Sequence, residues 1–192
     1  MRRPKEFDRD EALATAVRVF SEHGYARTST EALLKAMGLS RQSLYDTFGS
    51  KRELYLDALR RYNLESAERI IQDIESGKSP LDGLRRALLS FIDSDCLRAD
   101  PACLGVGAIC EFGRRDDEIV SANESTSALI AQPLLRAFER AKALGEVRHD
   151  LDPRTATELF FCLFAGLKVS ARAGMSGDRL REMAALAFNA FV

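Results

Sequence analysis

Nowhere in the 192-residue chain do eighteen apolar residues run together, which argues against a membrane-spanning helix. The opening MRRPKEFDRDE is basic with no apolar stretch behind it, so it does not read as a secretory signal. Cysteine is sparse. Four residues, at 96, 103, 110 and 162, make no disulfide scaffold in a chain this long, and a reduced, cytoplasmic setting follows. The only histidines, His23 and His149, are far apart and fit no metal-ligand spacing, so neither a metal nor another cofactor is expected. P-loop, GxSxG and HExxH motifs are absent, and Gly105-Val106-Gly107 lacks the third glycine and the preceding strand of a dinucleotide loop. No catalytic residue is nominated, and the chain is not read as an enzyme. There is no strand-like alternation, internal repeat or low-complexity tract. Excess charge of one sign is missing too: the net charge is −1, which by itself argues against a nucleic-acid partner.

That near-neutral sum hides a tilt. Residues 1–60 carry 11 Lys and Arg against 9 Asp and Glu, while residues 61–192 carry 17 against 20. The sign fits a small basic head on an acidic body. Hydrophobic residues make up 46% and charged residues 30%, as in an ordinary globular protein of one sizeable domain or two small ones.

What is present is helix nearly throughout. Asp8 to Glu11 forms a capping box, followed by Leu13, Ala16, Val17 and Phe20 at amphipathic spacing, with Gly24 as a stop. A second box, Thr28 to Glu31, predicts a short helix ended by Gly38. Ser40 caps a third helix through Leu44 and Phe48, stopped by Gly49. Ser50 to Glu53 opens a long helix running to about Ile74. Further helices are predicted from Ser79-Pro80 to about Ser94, over 102–113 after an irregular patch at Arg98 to Pro101, over about 116–144, over 153–173, and at the C-terminus. The reading is all-α, with about nine helices.

GLSRQSLYDTF, residues 38–48, places a glycine and a capping serine two residues apart between two short helices. Gly38 supplies a left-handed position, Leu39 fills the corner and Ser40 caps the next helix. Two such helices buttressed by a first make a helix-turn-helix, whose second helix would lie in the major groove with Arg41, Gln42 and Ser43 leading. A solvated helix start in a generic bundle would look the same from the corner alone.

The wider stretch GYARTSTEALLKAMGLSRQSLYDTFGSKRELYLDAL resembles the N-terminal domain of the TetR family of transcriptional regulators, with Phe20, Gly24, Tyr25, Thr28, Gly38, Ser40, Leu44-Tyr45, Phe48, Lys51 and Leu54 at the expected places. The resemblance implies a DNA-binding domain over 1–60, with the helix-turn-helix at about 28–48, and a ligand-binding and dimerisation domain over 61–192. It implies that Arg41, Gln42 and Ser43 approach bases. Tyr45, Thr47 and Lys51, together with Thr28, Ser29 and Thr30 at a helix start, would contact phosphate. Helix N-termini, hydroxyls and ammonium groups all suit that partner. One position departs from many relatives, which have an aromatic residue or histidine at the place of Asp46. A carboxylate there is repelled by phosphate, yet it can accept from cytosine N4 or pair with Arg41 or Arg52.

The expected function is a repressor acting as a homodimer on a near-palindromic double-stranded operator and released by a small-molecule inducer. Alternatives are an activator of the same fold, a helical-bundle enzyme or small-molecule binding protein without a DNA role, and a thiol-redox sensor of the same fold. Phe160, Phe161 and Phe164 are candidates to line a ligand pocket, with core packing as the alternative. The stripes Leu159, Leu163, Gly166, Ser170 and Leu180, Ala184, Ala187, Phe191 are candidates to pair across the two-fold axis. Cys103, in PACLGVG, would sit in the first turn of a helix begun by Pro101 or Ala102, where free N–H groups favour a thiolate; part of the family has a similar Cys-Leu beside the pocket. It is a pocket or sensor candidate, or a small core side chain.

Overall fold

A computed structural model describes residues 7–93 and 103–192, apart from the side chains of Phe91 and Asp93. Among these are nine helices and no strand. In chain order they are α1 Arg9–His23, α2 Thr30–Met37, α3 Arg41–Phe48, α4 Lys51–Glu75, α5 Pro80–Asp93, α6 Leu104–Phe112, α7 Asp117–Ala143, α8 Pro153–Arg172 and α9 Gly177–Phe188. Cys96, the predicted irregular patch at Arg98 to Pro101, and the helix start at Pro101 or Ala102 lie outside the described residues.

The caps follow local chemistry. Asp8 accepts from the backbone N–H groups of Asp10 and Glu11, Ser40 from Ser43, Ser50 from Glu53 and Asp152 from Thr155. One cap differs from expectation. Ser29, not Thr28, caps α2 by accepting from Ala32 N–H at 3.0 Å. Thr28 is buried, and its hydroxyl donates to the Gly24 carbonyl at 2.6 Å. At the corner Gly38 is left-handed (φ 66°), and Leu39 N–H closes onto the Leu34 carbonyl at 3.1 Å. That conformation strains any residue with a Cβ, so the sharp turn depends on glycine.

Two apolar clusters divide the molecule. The head cluster gathers α1, Leu33 of α2, Leu44 and Phe48 of α3, and the first part of α4. Leu104 and Ala108 of α6 and Ile119 of α7 also belong to it. The body cluster gathers Ala67 and Ile70 of α4 with α5, α7, α8 and α9. α4 therefore belongs to both: its 25 residues span roughly 37 Å, from the foot of α3 into the body.

The predicted dimer stripes divide on inspection. Leu180, Ala184 and Phe191 are fully buried in the body of their own chain, where Phe191 packs against Phe138 and Phe188, so they cannot meet a second copy. The stripe read from the last helix is its inward face. Leu163, Ser170 and Ala187 are half-buried, and Leu159 and Gly166 are exposed. The apolar side chains left outside on the same two helices are Leu159, Val169, Met183 and Leu186, the last 73% exposed.

Candidate nucleic-acid interface and the seam beneath it

α3 is fixed by its apolar side. Leu44 and Phe48 are buried, each worth about 1.5–3 kcal/mol of transfer, far more than any exposed polar pair on the opposite face. That opposite face presents Arg41, Gln42, Tyr45 and Asp46 outward, with Ser43 and Thr47 half-buried at its edges. Ser29 and Thr30 sit at the N-terminus of α2, adding backbone N–H groups to the same surface chemistry. Thr28 does not join them, because its side chain is inside.

The polar groups of α3 already have partners. Arg41 donates through Nη2 to Glu31 Oε1 of α2. Gln42 Nε2 donates to Asp46 Oδ1 at 2.7 Å, one turn on. The expected pairing of Asp46 with Arg41 or Arg52 is therefore replaced by pairing with Gln42. Both contacts are exposed, worth about 0–1 kcal/mol each, and so are readily exchanged for bases or phosphates. Lys51, the first residue of α4, lies with its Nζ 4.2 Å from the centre of the Tyr25 ring. Partial burial lowers its pKa, with the charge of Glu111 acting in the opposite sense.

Beneath this surface the head meets the body along a seam that sequence reasoning missed. Phe20, Tyr25, Tyr55 and Phe112 form one aromatic knot, with centroid separations of 5.0 Å for Phe20–Tyr55, 5.1 Å for Tyr25–Tyr55 and 5.7 Å for Tyr55–Phe112. Burial pushes the Tyr55 phenol well above its ordinary pKa. Around the knot run three polar links. Glu111 of α6 accepts from the backbone N–H of Tyr25 at 2.9 Å and of Ala26 at 2.7 Å, holding the loop that leads into α2. Arg52 donates to Asp116 through both terminal guanidinium nitrogens at 2.7 and 2.9 Å and also reaches Glu118. Those bonds hold the Asp116 carboxyl below the usual carboxylate range. Arg172 of α8 donates to the Ser21 carbonyl at 3.3 Å. Glu111 stands 86 positions from Tyr25, and no local pattern marks it.

A cavity of about 560 Å³ opens at the seam, walled by α1, the 24–27 loop, α6 and α8. Of the predicted ligand residues only Cys103 lines it. Cys103 is the N-cap of α6 and not a first-turn residue; its Sγ accepts from Val106 N–H at 3.4 Å and from Lys168 Nζ at 3.5 Å. Phe160 is buried in the body core and stacks on Phe164 with centroids 6.3 Å apart, and Phe161 and Phe164 pack against that core. None of these three phenylalanines lines the seam cavity.

The helix-turn-helix stretch matches the model of "Bacterial regulatory proteins, tetR family" over residues 12–58. The HTH-type transcriptional regulator YezE of Bacillus subtilis (strain 168) is 34% identical over 149 residues, covering 77% of this chain and 76% of YezE. The chain belongs to the tetR family. As a tetR-family protein it is a DNA-binding transcriptional regulator. The HTH-type transcriptional repressor ComR of Escherichia coli (strain K12) is 29% identical over 184 residues, 95% of this chain and 88% of ComR. A cysteine mutant of the TetR-family regulator CifR, solved with 26-bp double-strand operator DNA, superposes with a TM-score of 0.84 at 27% identity, covering 99% of this chain and all of CifR. No helix among the described residues is long and apolar enough to cross a membrane.

Proposed function

We propose that this tetR-family chain is a repressor that binds a near-palindromic operator as a homodimer and releases it when a small molecule enters the seam cavity. The single observation behind this reading is Glu111. It lies in the last turn of the helix that walls the cavity, and its carboxylate holds the backbone of the loop feeding the DNA-facing start of α2. A molecule that shifts α6 must therefore shift the head, and relief of DNA binding equals its differential affinity for the two arrangements. Arg41, Gln42 and Ser43 read bases; Ser29, Thr30, Tyr45, Thr47 and Lys51 position the phosphates. The copies pair through the exposed faces of α8 and α9, with Leu159, Gly166, Met183 and Leu186 at the contact. The regulator works in the cytoplasm and catalyses no reaction of its own.

A gel shift with the DNA upstream of its own gene tests the reading. A retarded complex competed by the same duplex but not by a scrambled one is expected, and absence of any such complex overturns it. An activator would use the same contacts, and in vitro transcription from the bound promoter separates the two.

A second reading is favoured by the Lys168 ammonium 3.5 Å from Cys103 Sγ. In it the thiol is the trigger, and its modification takes the place of ligand binding. Alkylation of the native protein with a bulky maleimide decides: fast labelling at Cys103 with loss of operator binding, absent in Cys103→Ser, supports the sensor. Labelling only after unfolding leaves Cys103 as packing.

A further inference from the structure

Lys168 is a cation in an unusual place. It lies on α8 in the wall of the seam cavity and is only 9% exposed. Its Nζ has one hydrogen-bond partner among the described residues, the Cys103 sulfur, and rests 4.3 Å from the centre of the Phe164 ring. Neither is a carboxylate. Among the described residues the one carboxylate in the cavity wall, Glu111, is committed to the Tyr25 and Ala26 N–H groups. Two more cations line the cavity, Arg27 and Arg172, each already on a backbone carbonyl. Much of the remaining wall is apolar, from Phe20, Leu104, Val106 and Val169.

Among the described residues no carboxylate pairs with this ammonium; a buried ammonium so placed is costly to keep, and an arriving anion removes that cost. A neutral molecule gains only the apolar contact, and a cation is repelled. A dianion would bring a second charge for which there is no second buried cation among the described residues. We propose that the seam cavity receives an amphipathic monocarboxylate, its carboxylate on Lys168 Nζ and its apolar part against Phe20, Leu104 and Val169. This rests on the reading that the cavity is the inducer site. At about 560 Å³ the cavity has the size of an ordinary small-molecule pocket.

The test reads binding to the full chain without DNA, by thermal shift and titration calorimetry. The probes are sodium octanoate and sodium 4-phenylbutyrate, each against its alcohol, with octylamine as the cationic control. At least one acid should bind no less than about tenfold tighter than its alcohol, the amine should not bind, and Lys168→Met should erase the acid's advantage while leaving the alcohol unchanged. Cys103→Ala should keep acid binding, which separates a carboxylate site from a thiol trigger. Should Lys168→Met fail to fold, the acid-against-alcohol comparison on the parent still decides. Alcohols binding as well as acids, no acid binding, or undiminished acid binding in Lys168→Met would overturn the proposal. Intact operator binding beside such a result would sink the ligand class alone. A chain that binds these acids but no operator would sink the repressor reading instead.

Discussion

The DNA-facing surface and the seam beneath it use polar groups in opposite ways. On α3 the pairs Arg41–Glu31 and Gln42–Asp46 are exposed, local and exchangeable. At the seam Glu111 and Asp116 bind groups 86 and 64 positions away, beside a buried aromatic knot. On the proposed function, a surface that reads DNA keeps its hydrogen-bonding groups provisional, and a joint that transmits position fixes them. The two regions should therefore respond differently to substitution.

The largest effect is expected away from both. Leu186→Glu on the outer face of α9 should leave the fold intact and yield a monomer by sedimentation, with operator affinity lost on the order of 100-fold, because the second head no longer binds intramolecularly. Arg41→Ala comes next. It should lose roughly 1–3 kcal/mol of operator affinity and relax sequence preference, whereas Lys51→Ala should weaken all sequences alike and flatten the salt dependence. Fluorescence anisotropy at several salt concentrations reads both. Glu111→Ala should lower thermal stability by about 0.5–1.5 kcal/mol, since it removes the acceptor of one part-buried and one exposed backbone N–H.

The head was readable in the sequence because its determinants are local. Gly38, Leu39 and Ser40 set the corner within three residues, and the i, i+3, i+4 spacing of α1 set the buried face. Even there Thr28 and Ser29 could not be ranked as caps, since both are hydroxyl residues and only the fold shows Thr28 turned inward to Gly24. The body yielded its helices but not their sides. Leu180, Ala184 and Phe191 form an apolar stripe that a core and a dimer would need equally, and the core has taken it. Glu111 and Lys168 carry no local signal, because their partners, the 24–27 loop and the Cys103 sulfur, stand 65 or more positions away in the chain.

Smaller effects sharpen the contrast. Asp46→Ala should free Gln42 and remove a carboxylate from the DNA side, raising affinity for nonspecific duplex by about 0.2–1 kcal/mol. The Arg52–Asp116 link gives a pH signature. Asp116 is held below its unfolded value of about 4, so its stabilisation is complete above that pH and fades as the pH falls through the folded value. The melting difference between parent and Asp116→Asn should stay constant from about pH 8 to 5 and shrink only below about pH 4.

The claim that the seam sets the placement of the heads, while α3 reads the DNA, is tested most directly with one substitution and two duplexes. Glu111→Ala removes no side chain proposed to touch DNA, although its charge acts on Lys51, so it should lower affinity for the palindromic operator severalfold and affinity for an isolated half-site far less. Equal losses on both duplexes, or no loss on either, would contradict the account.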